Sequence, residues 1–156
     1  MNSIDLFAGA GGLSCGLGMA GFTPILANEL VEAHANTYKV NNENTKVIVG
    51  DVRKVCESNL KKTLGLKKGE LDLLAGGPPC QGFSVNAPIR DLDDERNHLF
   101  KDFLRVASEL LPKAILIENV PVYPGCKGNN KELKDCFTKK VTEFFGRKFD
   151  VNLANE

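Results

Sequence analysis

The chain has 156 residues, enough for one domain with a substantial hydrophobic core. Hydrophobic residues make up 42% and charged residues 26%, which is an ordinary balance for a globular protein. Twenty basic side chains are matched by twenty acidic ones, so the net charge is zero. Composition alone therefore does not indicate a stand-alone nucleic-acid binder, which usually has a strongly basic face.

Neither a membrane segment nor a signal peptide is visible in the sequence. The longest apolar runs, such as residues 114–117, are soon interrupted by charged residues. The N-terminus passes from Met1 directly into residues 4–7 (IDLF), without the basic region, apolar stretch and cleavage site of a secretory leader. We therefore expect a cytoplasmic protein.

The cysteines have the spacing of neither a disulfide framework nor a zinc site. No C-x-x-C pair occurs, and the nearest pair is too widely spaced and lacks supporting histidines. We expect free thiols in a reducing compartment and no metal. Four are interpreted as small buried hydrophobic side chains, the usual state of a lone cysteine. These four are Cys15, Cys56, Cys126 and Cys136.

Short aliphatic or β-branched runs alternate along the chain with longer segments of helical spacing. The predicted strands are residues 3–7, 24–28, 47–49, 71–75, 114–117 and 149–153. The first predicted helix ends near residue 19, and the other four span residues 31–41, 54–64, 98–111 and 131–145. In the second helix, one face is predicted to carry Ala33, Ala35, Tyr38 and Val40. This alternation predicts an α/β fold, with a mostly parallel sheet covered on both faces.

The unusual residues of the sequence follow directly after predicted strands. They are residues 9–12, Glu29, Asp51, residues 78–84, and Glu118 with Asn119. In an open parallel sheet the carboxyl ends of the strands lie along one edge, where such folds bind ligands. Residues far apart in sequence are therefore predicted to form one site.

A glycine-rich turn, residues 7–13 (FAGAGGL), follows the first strand and begins the first helix. Glycines permit a tight turn and the close approach of a bound molecule. The free N–H groups at a helix start suit a negatively charged or carboxylate ligand. A turn that serves only packing is the alternative.

Two acids follow the second and third strands. Glu29 stands about where dinucleotide-binding folds place a carboxylate for ribose hydroxyls. Asp51 can accept a hydrogen bond from an adenine amino group. Each acid can instead be a solvated loop residue or a helix cap. Their placement beside the glycine turn favours an adenosine-containing cofactor, and the lack of a G-x-x-x-x-G-K-[ST] loop disfavours ATP.

Cys80 lies in residues 76–84 (GGPPCQGFS), where two glycines and two prolines predict a rigid irregular loop. A buried core cysteine has no need of such a loop, and a thiol is a strong nucleophile near neutral pH. Glu118 follows the fifth strand, where a partly desolvated carboxyl group can act as an acid; a plain strand-end turn is the alternative. His34 and His98 do not follow strands, so a Cys–His or Ser–His–Asp arrangement is not supported.

Three segments, in this order, resemble the DNA (cytosine-5) methyltransferases. They are residues 5–12 (DLFAGAGG), 78–84 (PPCQGFS) and 118–120 (ENV). Lesser motifs of the family are matched by Asn28 and Glu29 with Tyr38 and Asn41, by Gly50-Asp51-Val52, and by Arg96 with Leu99. The resemblance covers nearly the whole chain. It implies a Rossmann-like, S-adenosylmethionine-dependent methyltransferase fold, with residues 1–156 forming a partial catalytic and cofactor-binding domain.

The resemblance also implies which residues act. Those expected to contact S-adenosylmethionine, with S-adenosylhomocysteine as product, are Phe7, Ala8, Gly9, Ala10, Gly11, Gly12, Leu13, Glu29, Leu30, Asp51, Val52, Pro79 and Leu99. The expected catalytic residues are Cys80, Gln81, Glu118 and Asn119. The target cytosine of double-stranded DNA would leave the base stack, and the Cys80 thiolate would attack its carbon 6.

The family continues beyond its last matched strand with an arginine-rich catalytic segment, a target-recognition domain and a final helix, none of which occurs in residues 1–156. We expect a further segment or a second polypeptide to supply them, and little activity from this chain alone. The setting implied is a restriction-modification system in the cytoplasm or at the nucleoid. Two alternatives stay open: a non-catalytic cofactor-binding or regulatory module, and a transfer-RNA cytosine-5 methyltransferase.

Overall fold

A computed structural model describes residues 1–55, 60, 63–79, 99–118 and 130–146. The chain divides into two compact units, one formed by Met1–Pro79 with His98–Glu118 and the other by Cys80–Asn97 with Asn119–Glu156. The sheet belongs to the first unit, and the described part of the second is a helix. Across the described ranges, no helix is long and apolar enough to cross a membrane.

The elements of the first unit alternate between strand and helix. They are β1 (Asn2–Leu6), α1 (Gly12–Met19), β2 (Thr23–Glu29), α2 (Glu32–Asn41), β3 (Lys46–Val49), a 3-10 turn (Val52–Lys54), β4 (Leu73–Gly76), α3 (Leu99–Leu110) and β5 (Ala114–Ile117). The second unit contains α4 (Asn130–Phe145). Five of the predicted strands and four of the predicted helices are thereby confirmed to within two residues at the ends described.

The predicted helix over residues 54–64 is wrong at its start. A short 3-10 turn ends at Lys54, and Val55 is extended, with φ −79° and ψ 115°. Residues 56–59 and 61–62, and the sixth strand predicted at residues 149–153, lie outside the described residues. The predicted apolar face of α2 is half right, because Ala35 is fully buried whereas Val40 is 75% exposed. Ala33 is exposed as well, and Tyr38 is buried.

The five strands form one parallel sheet in the order β3-β2-β1-β4-β5. The chain adds β2 and β3 on one side of β1 and then adds β4 and β5 on the other side. This reversal of direction makes a crevice at the carboxyl ends of β1 and β4. Leu6 at the end of β1 pairs with Asn28 on one side and Gly76 on the other. The predicted α/β fold is confirmed.

Helices cover both faces of the sheet. Ala27 and Ala75 both pair with Asp5 and therefore share a face. On that face Leu17 of α1 packs with Ala75, and Tyr38 of α2 packs with Ala27. The opposite face, toward which Gly76 is oriented, packs against Phe103 of α3.

Gly76 is required where β4 meets β1 and α3. A Cβ atom there would overlap the carbonyl oxygen of Leu6 and lie 3.0 Å from Cε2 of Phe103. Backbone cannot yield as the end of a flexible side chain can, so no larger residue fits. The last residue of β4 is thereby held against β1, at the border of the crevice.

Arg105 of α3 attaches the 3-10 turn to the rest of the first unit. Its Nη2 donates to the carbonyl oxygen of Val52 at 3.1 Å, and its Nη1 donates to that of Val55 at 2.9 Å. Glu109, 3.0 Å from Nη1, and Asp102, 3.4 Å from Nε, balance its charge. One guanidinium therefore binds two carbonyl groups of the turn, of which that of Val52 also accepts the Val55 N–H at 2.9 Å.

Replacing Arg105 with methionine is expected to lower the free energy of unfolding by about 2 kcal/mol, because hydrogen bonds from a charged donor are worth about 1.5–3 kcal/mol. Chemical denaturation measures the change. Lys101→Met, at an exposed position of the same helix, is the matched control and should change little. Equal effects of the two substitutions would show that the carbonyl contacts contribute nothing.

Candidate cofactor and active site

The glycine loop after β1 turns by repeated use of left-handed backbone. Phe7, Gly9 and Gly11 have φ values of 60°, 55° and 99°. The N–H group of Ala8 donates to the carbonyl oxygen of Asn28 at 3.0 Å, which ties the loop to the end of β2. Gly11 ends the loop at the N-terminus of α1. The glycine turn thus follows β1 and begins α1, as predicted.

Glu29 joins the glycine loop to the start of α2. Its Oε2 accepts the Gly9 N–H at 2.9 Å, and its Oε1 accepts the Val31 N–H at 2.8 Å. The residue is only 8% exposed. Each carboxylate oxygen keeps capacity for one further hydrogen bond. The predicted neighbours Glu29 and Gly9 are thus in direct contact.

His34 is a member of this site that the sequence did not reveal. Its Nδ1 lies 3.6 Å from Oε1 of Glu29, and its side chain is 59% exposed. The residue does not follow a strand, which is why the strand-end rule missed it. It stands in the first turns of α2, just after the strand-end acid, so its closeness to Glu29 in sequence was the available signal.

A buried polar chain lies below the glycine loop. Oδ2 of Asp5 accepts a hydrogen bond from Oγ of Ser14 at 2.7 Å, and the Ser14 hydroxyl shares a second hydrogen bond with the Tyr38 hydroxyl, also at 2.7 Å. Oδ1 of Asp5 has no partner among the described residues. Desolvation raises the pKa of Asp5 to about 6; the hydrogen bonds from Ser14 oppose the shift and the charge of Glu29 adds to it.

The raised pKa of Asp5 makes stability depend on pH in a defined direction. Below about pH 4, Asp5 is protonated in both the folded and the unfolded chain. As pH rises through about 6, the folded chain must bury a carboxylate that the unfolded chain exposes to water. Asp5 therefore lowers stability over this range, by roughly 3 kcal/mol for a shift of this size.

The Asp5→Asn variant is expected to lose this fall in stability between about pH 4 and pH 6. Denaturation of both proteins across that range measures the difference. Asp72→Asn is a control for which the opposite pH dependence is expected, because Lys113 and the Asn2 N–H hold the pKa of Asp72 below its usual range. The expectation is contradicted if the wild type and Asp5→Asn change in parallel.

Asp51 serves as the cap of the 3-10 turn. Its Oδ1 accepts the Arg53 N–H at 2.9 Å, and its Oδ2 lies 2.6 Å from Nη2 of the same arginine. Hydrogen bonds from Arg53 hold the pKa of Asp51 below its usual range. The helix-cap interpretation is therefore correct for Asp51, both of whose oxygens accept hydrogen bonds from Arg53. Val52 beside it is buried.

Glu118 lies against the start of the predicted nucleophile loop. Its N–H donates to the carbonyl oxygen of Gly76 at 3.0 Å, which extends the β4–β5 pairing. A Cβ atom on Gly77 would lie 3.1 Å from Oε2 of Glu118, so this carboxylate occupies the space above Gly77. Pro78 is buried and Pro79 half-buried. Glu118 is exposed, so the partly desolvated carboxyl group that the sequence suggested is not found at this strand end.

The other predicted site residues differ in how exposed they are. Leu30 follows Glu29 and is 68% exposed, whereas Leu13 packs partly into the core beside Leu17. Leu99 is half-buried at the start of α3. Ala10 and Gly12 are exposed. Outside the described residues lie Cys80, Gln81, Asn119, Arg96 and His98.

The interpretation of Cys15 as a buried side chain is wrong. Cys15 is exposed and unpaired, because its neighbours Ser14 and Leu17 take the inward-facing positions of α1. Cys56 and Cys126 lie outside the described residues, and the side chain of Cys136 is not described.

The model of one protein family, "C-5 cytosine-specific DNA methylase", matches residues 1–147. The chain belongs to this family. Among its curated relatives, the Type II methyltransferase M.AgeI of Thalassovita gelatinovora is 42% identical over 120 residues, which are 77% of this chain and 28% of the relative. The Type II methyltransferase M.FnuDI of Fusobacterium nucleatum is 36% identical over 155 residues, which are 99% of this chain and 42% of the relative.

Solved structures agree with the fold of this member of the family. A prophage-encoded Escherichia coli protein, assigned as a DNA modification methyltransferase, has a TM-score of 0.71 and 35% identity. The match covers 94% of this chain and 38% of that one. The DNMT2 protein of Spodoptera frugiperda, with 22% identity and a TM-score of 0.61, shares the fold. The chain thus spans about a third of the length of the first relatives it matches.

Proposed function

We propose that this chain is the catalytic and cofactor-binding part of an enzyme that transfers a methyl group from S-adenosylmethionine to carbon 5 of cytosine in DNA, and that it needs a further segment or a second polypeptide for activity. The observation that carries the proposal is the family match over residues 1–147 on a sheet whose glycine loop, Glu29 and Glu118 stand along one edge. The relatives' designation as Type II methyltransferases favours DNA over transfer RNA as substrate and supports a restriction-modification setting.

The residues of the sheet edge fit an adenosyl amino acid. A Cβ atom built on Gly9 or Gly12 meets nothing within 4 Å, so space is open above the loop. Glu29 keeps acceptor capacity for the two ribose hydroxyls, and the exposed Leu30 beside it offers an apolar surface to the base. The N–H groups at the start of α1 suit the cofactor's carboxylate.

Asp51 is proposed to accept a hydrogen bond from the adenine amino group. Because Arg53 keeps the pKa of Asp51 low, the carboxylate stays ionised and remains a strong acceptor. Val52, Pro79 and Leu99 are proposed to line the base pocket. The contacts of Arg105 with the 3-10 turn support this assignment, because they fix the backbone that carries Asp51.

Cys80 is proposed to act as the nucleophile on a cytosine turned out of the duplex. Its thiolate forms a bond to carbon 6, and the electron pair of the 5,6 double bond makes carbon 5 nucleophilic. Bound S-adenosylmethionine supplies an electrophilic methyl group on a positively charged sulfur. Carbon 5 takes that methyl group, which leaves S-adenosylhomocysteine. Carbon 5 then gives up its proton to water, and the returning electron pair expels the Cys80 thiolate.

Glu118 is proposed to contact ring nitrogen 3 and the exocyclic amine, where it stabilises the electron-rich adduct. Its position above Gly77, three residues before Cys80, supports this role, since the adduct would form beside both groups. Asn119 is proposed to orient the loop that carries Cys80, with Gln81 adjoining the base. Acid and nucleophile would thus act from the ends of neighbouring strands.

Recognition of the DNA sequence is proposed to reside outside these residues, in a further segment or a second polypeptide, with residues 1–156 as the catalytic and cofactor-binding part. The neutral charge of the chain supports this division, because base and phosphate contacts usually require a basic surface. Reading the native gene beyond the codon for Glu156 would distinguish a continuation from a separate reading frame.

The methyl-transfer assay is the test of this function. Duplex DNA is incubated with the full product of the gene and S-adenosylmethionine carrying a labelled methyl group. We expect label on carbon 5 of cytosine, detected after digestion to nucleosides, and none on transfer RNA. Label on RNA instead of DNA, or on no nucleic acid despite cofactor binding, would contradict the proposal.

A further inference from the structure

The hydroxyl groups of Ser14 and Tyr38 form a buried pair that none of the assignments above uses. Ser14 is 1% exposed and Tyr38 is fully buried. Their oxygens are 2.7 Å apart, and Ser14 also hydrogen-bonds to Asp5 at 2.7 Å. These hydrogen bonds therefore connect β1, α1 and α2 below the glycine loop.

The Tyr38 ring supports the glycine loop directly. A Cβ atom on Gly11 would lie 3.0 Å from Cδ2 of Tyr38, so ring and loop backbone are in close contact. Gly11 is the N-cap residue immediately before α1, and its carbonyl oxygen accepts the first helical N–H, from Cys15, at 2.9 Å. A shift of the Tyr38 ring would therefore shift the start of α1.

Glu29 makes a second connection between the glycine loop and α2. Its carboxylate accepts one N–H from the glycine loop and one from Val31 before α2. The loop is thus fixed to α2 by Glu29 at the sheet edge and by the Ser14–Tyr38 pair below it. Apolar side chains of similar size would fill the same space. The hydrogen bond between the two hydroxyl groups, at 2.7 Å, also fixes their distance and relative direction.

We propose that Ser14 and Tyr38 are positioning residues for the adenosyl cofactor, which hold the loop N–H groups and the Glu29 carboxylate at the separation that the cofactor requires. The inference rests on the proposed function and extends it to two residues that do not touch the ligand. Losing the hydroxyl contact lets the loop relax and weakens binding without removing any group that binds. Because one hydrogen bond contributes about 0.5–1.5 kcal/mol, the dissociation constant should rise about three- to tenfold.

Calorimetric titration of the purified full product of the gene with S-adenosylhomocysteine tests the inference. The variants are Tyr38→Phe, which keeps the ring against Gly11, Ser14→Ala, and the two combined. Thr37→Ala is the matched control, because it removes an exposed hydroxyl from the adjacent position of α2. Each single variant should bind about three- to tenfold more weakly, and the double variant no worse than the weaker single one. The control should bind like the wild type.

A second readout separates positioning from general stability. In the methyl-transfer assay, Tyr38→Phe should raise KM for S-adenosylmethionine by the same factor and leave kcat unchanged, with the chain fully folded at the assay temperature. Wild-type affinity in Tyr38→Phe, or independent additive losses in the double variant, would overturn the inference alone. A wild-type full gene product that binds no S-adenosylhomocysteine would overturn the proposed function as well.

Discussion

Replacing Cys80 with serine is expected to reduce methyl transfer by about a thousandfold or more, as the loss of a nucleophile does in enzymes with covalent intermediates. A serine hydroxyl is far less ionised than a thiol near neutral pH and is therefore a much weaker nucleophile. The variant should retain its affinity for S-adenosylmethionine, because the proposed contacts of the cofactor lie mainly on the glycine loop, Glu29 and Asp51. Rate and affinity are measured by methyl transfer and by titration calorimetry.

The control for this variant is Cys15→Ser. Cys15 is an exposed free thiol on α1, so its replacement removes a cysteine without touching the proposed nucleophile. Methyl transfer by Cys15→Ser should match the wild type. Undiminished transfer by Cys80→Ser would remove the covalent mechanism, and equal losses in both variants would point to general damage.

The Glu29→Ala variant is expected to weaken cofactor binding about a hundredfold. The carboxylate is buried, fixes the Gly9 and Val31 N–H groups, and is the proposed acceptor for the ribose hydroxyls. Losing hydrogen bonds to a charged group costs about 1.5–3 kcal/mol each, and two N–H groups lose their partner as well. Calorimetric titration with S-adenosylhomocysteine measures the dissociation constant.

Glu32→Ala provides the matched control for Glu29. It removes an exposed carboxylate from the first turn of α2, three residues away, and should leave the dissociation constant within about twofold. Glu29→Gln should fall between the two, since an amide has one acceptor oxygen where the carboxylate has two. An unchanged dissociation constant in Glu29→Ala would remove this residue from the site.

The sheet and its functional edge were predictable because they depend on local pattern. The run AILI gave β5 its bounds of Ala114–Ile117, and polar residues after strands marked the edge where Glu29 contacts Gly9. Parallel pairing of β1, β2 and β4 then brings those strand ends together, regardless of the length of the connecting segments.

Side-chain partners were not predictable, because they depend on how elements pack. Helical spacing gave Tyr38 and Val40 the same weight, yet only Tyr38 faces the sheet. The same spacing cannot show that Arg105 donates to Val52 or that His34 approaches Glu29. Asp5 reads as a polar residue of a strand, and its burial follows from α1 lying above it with Ser14 as partner.

Covalent trapping on DNA that contains 5-fluorocytosine in place of cytosine is the most direct test of the proposed mechanism. After methyl transfer, carbon 5 would carry fluorine, which cannot leave as a proton does, so the bond between carbon 6 and the nucleophile would persist. With the full product of the gene and S-adenosylmethionine, we predict a stable protein–DNA adduct that mass spectrometry of the digested complex assigns to Cys80. Methylation without any adduct, or an adduct on another residue, would contradict the account.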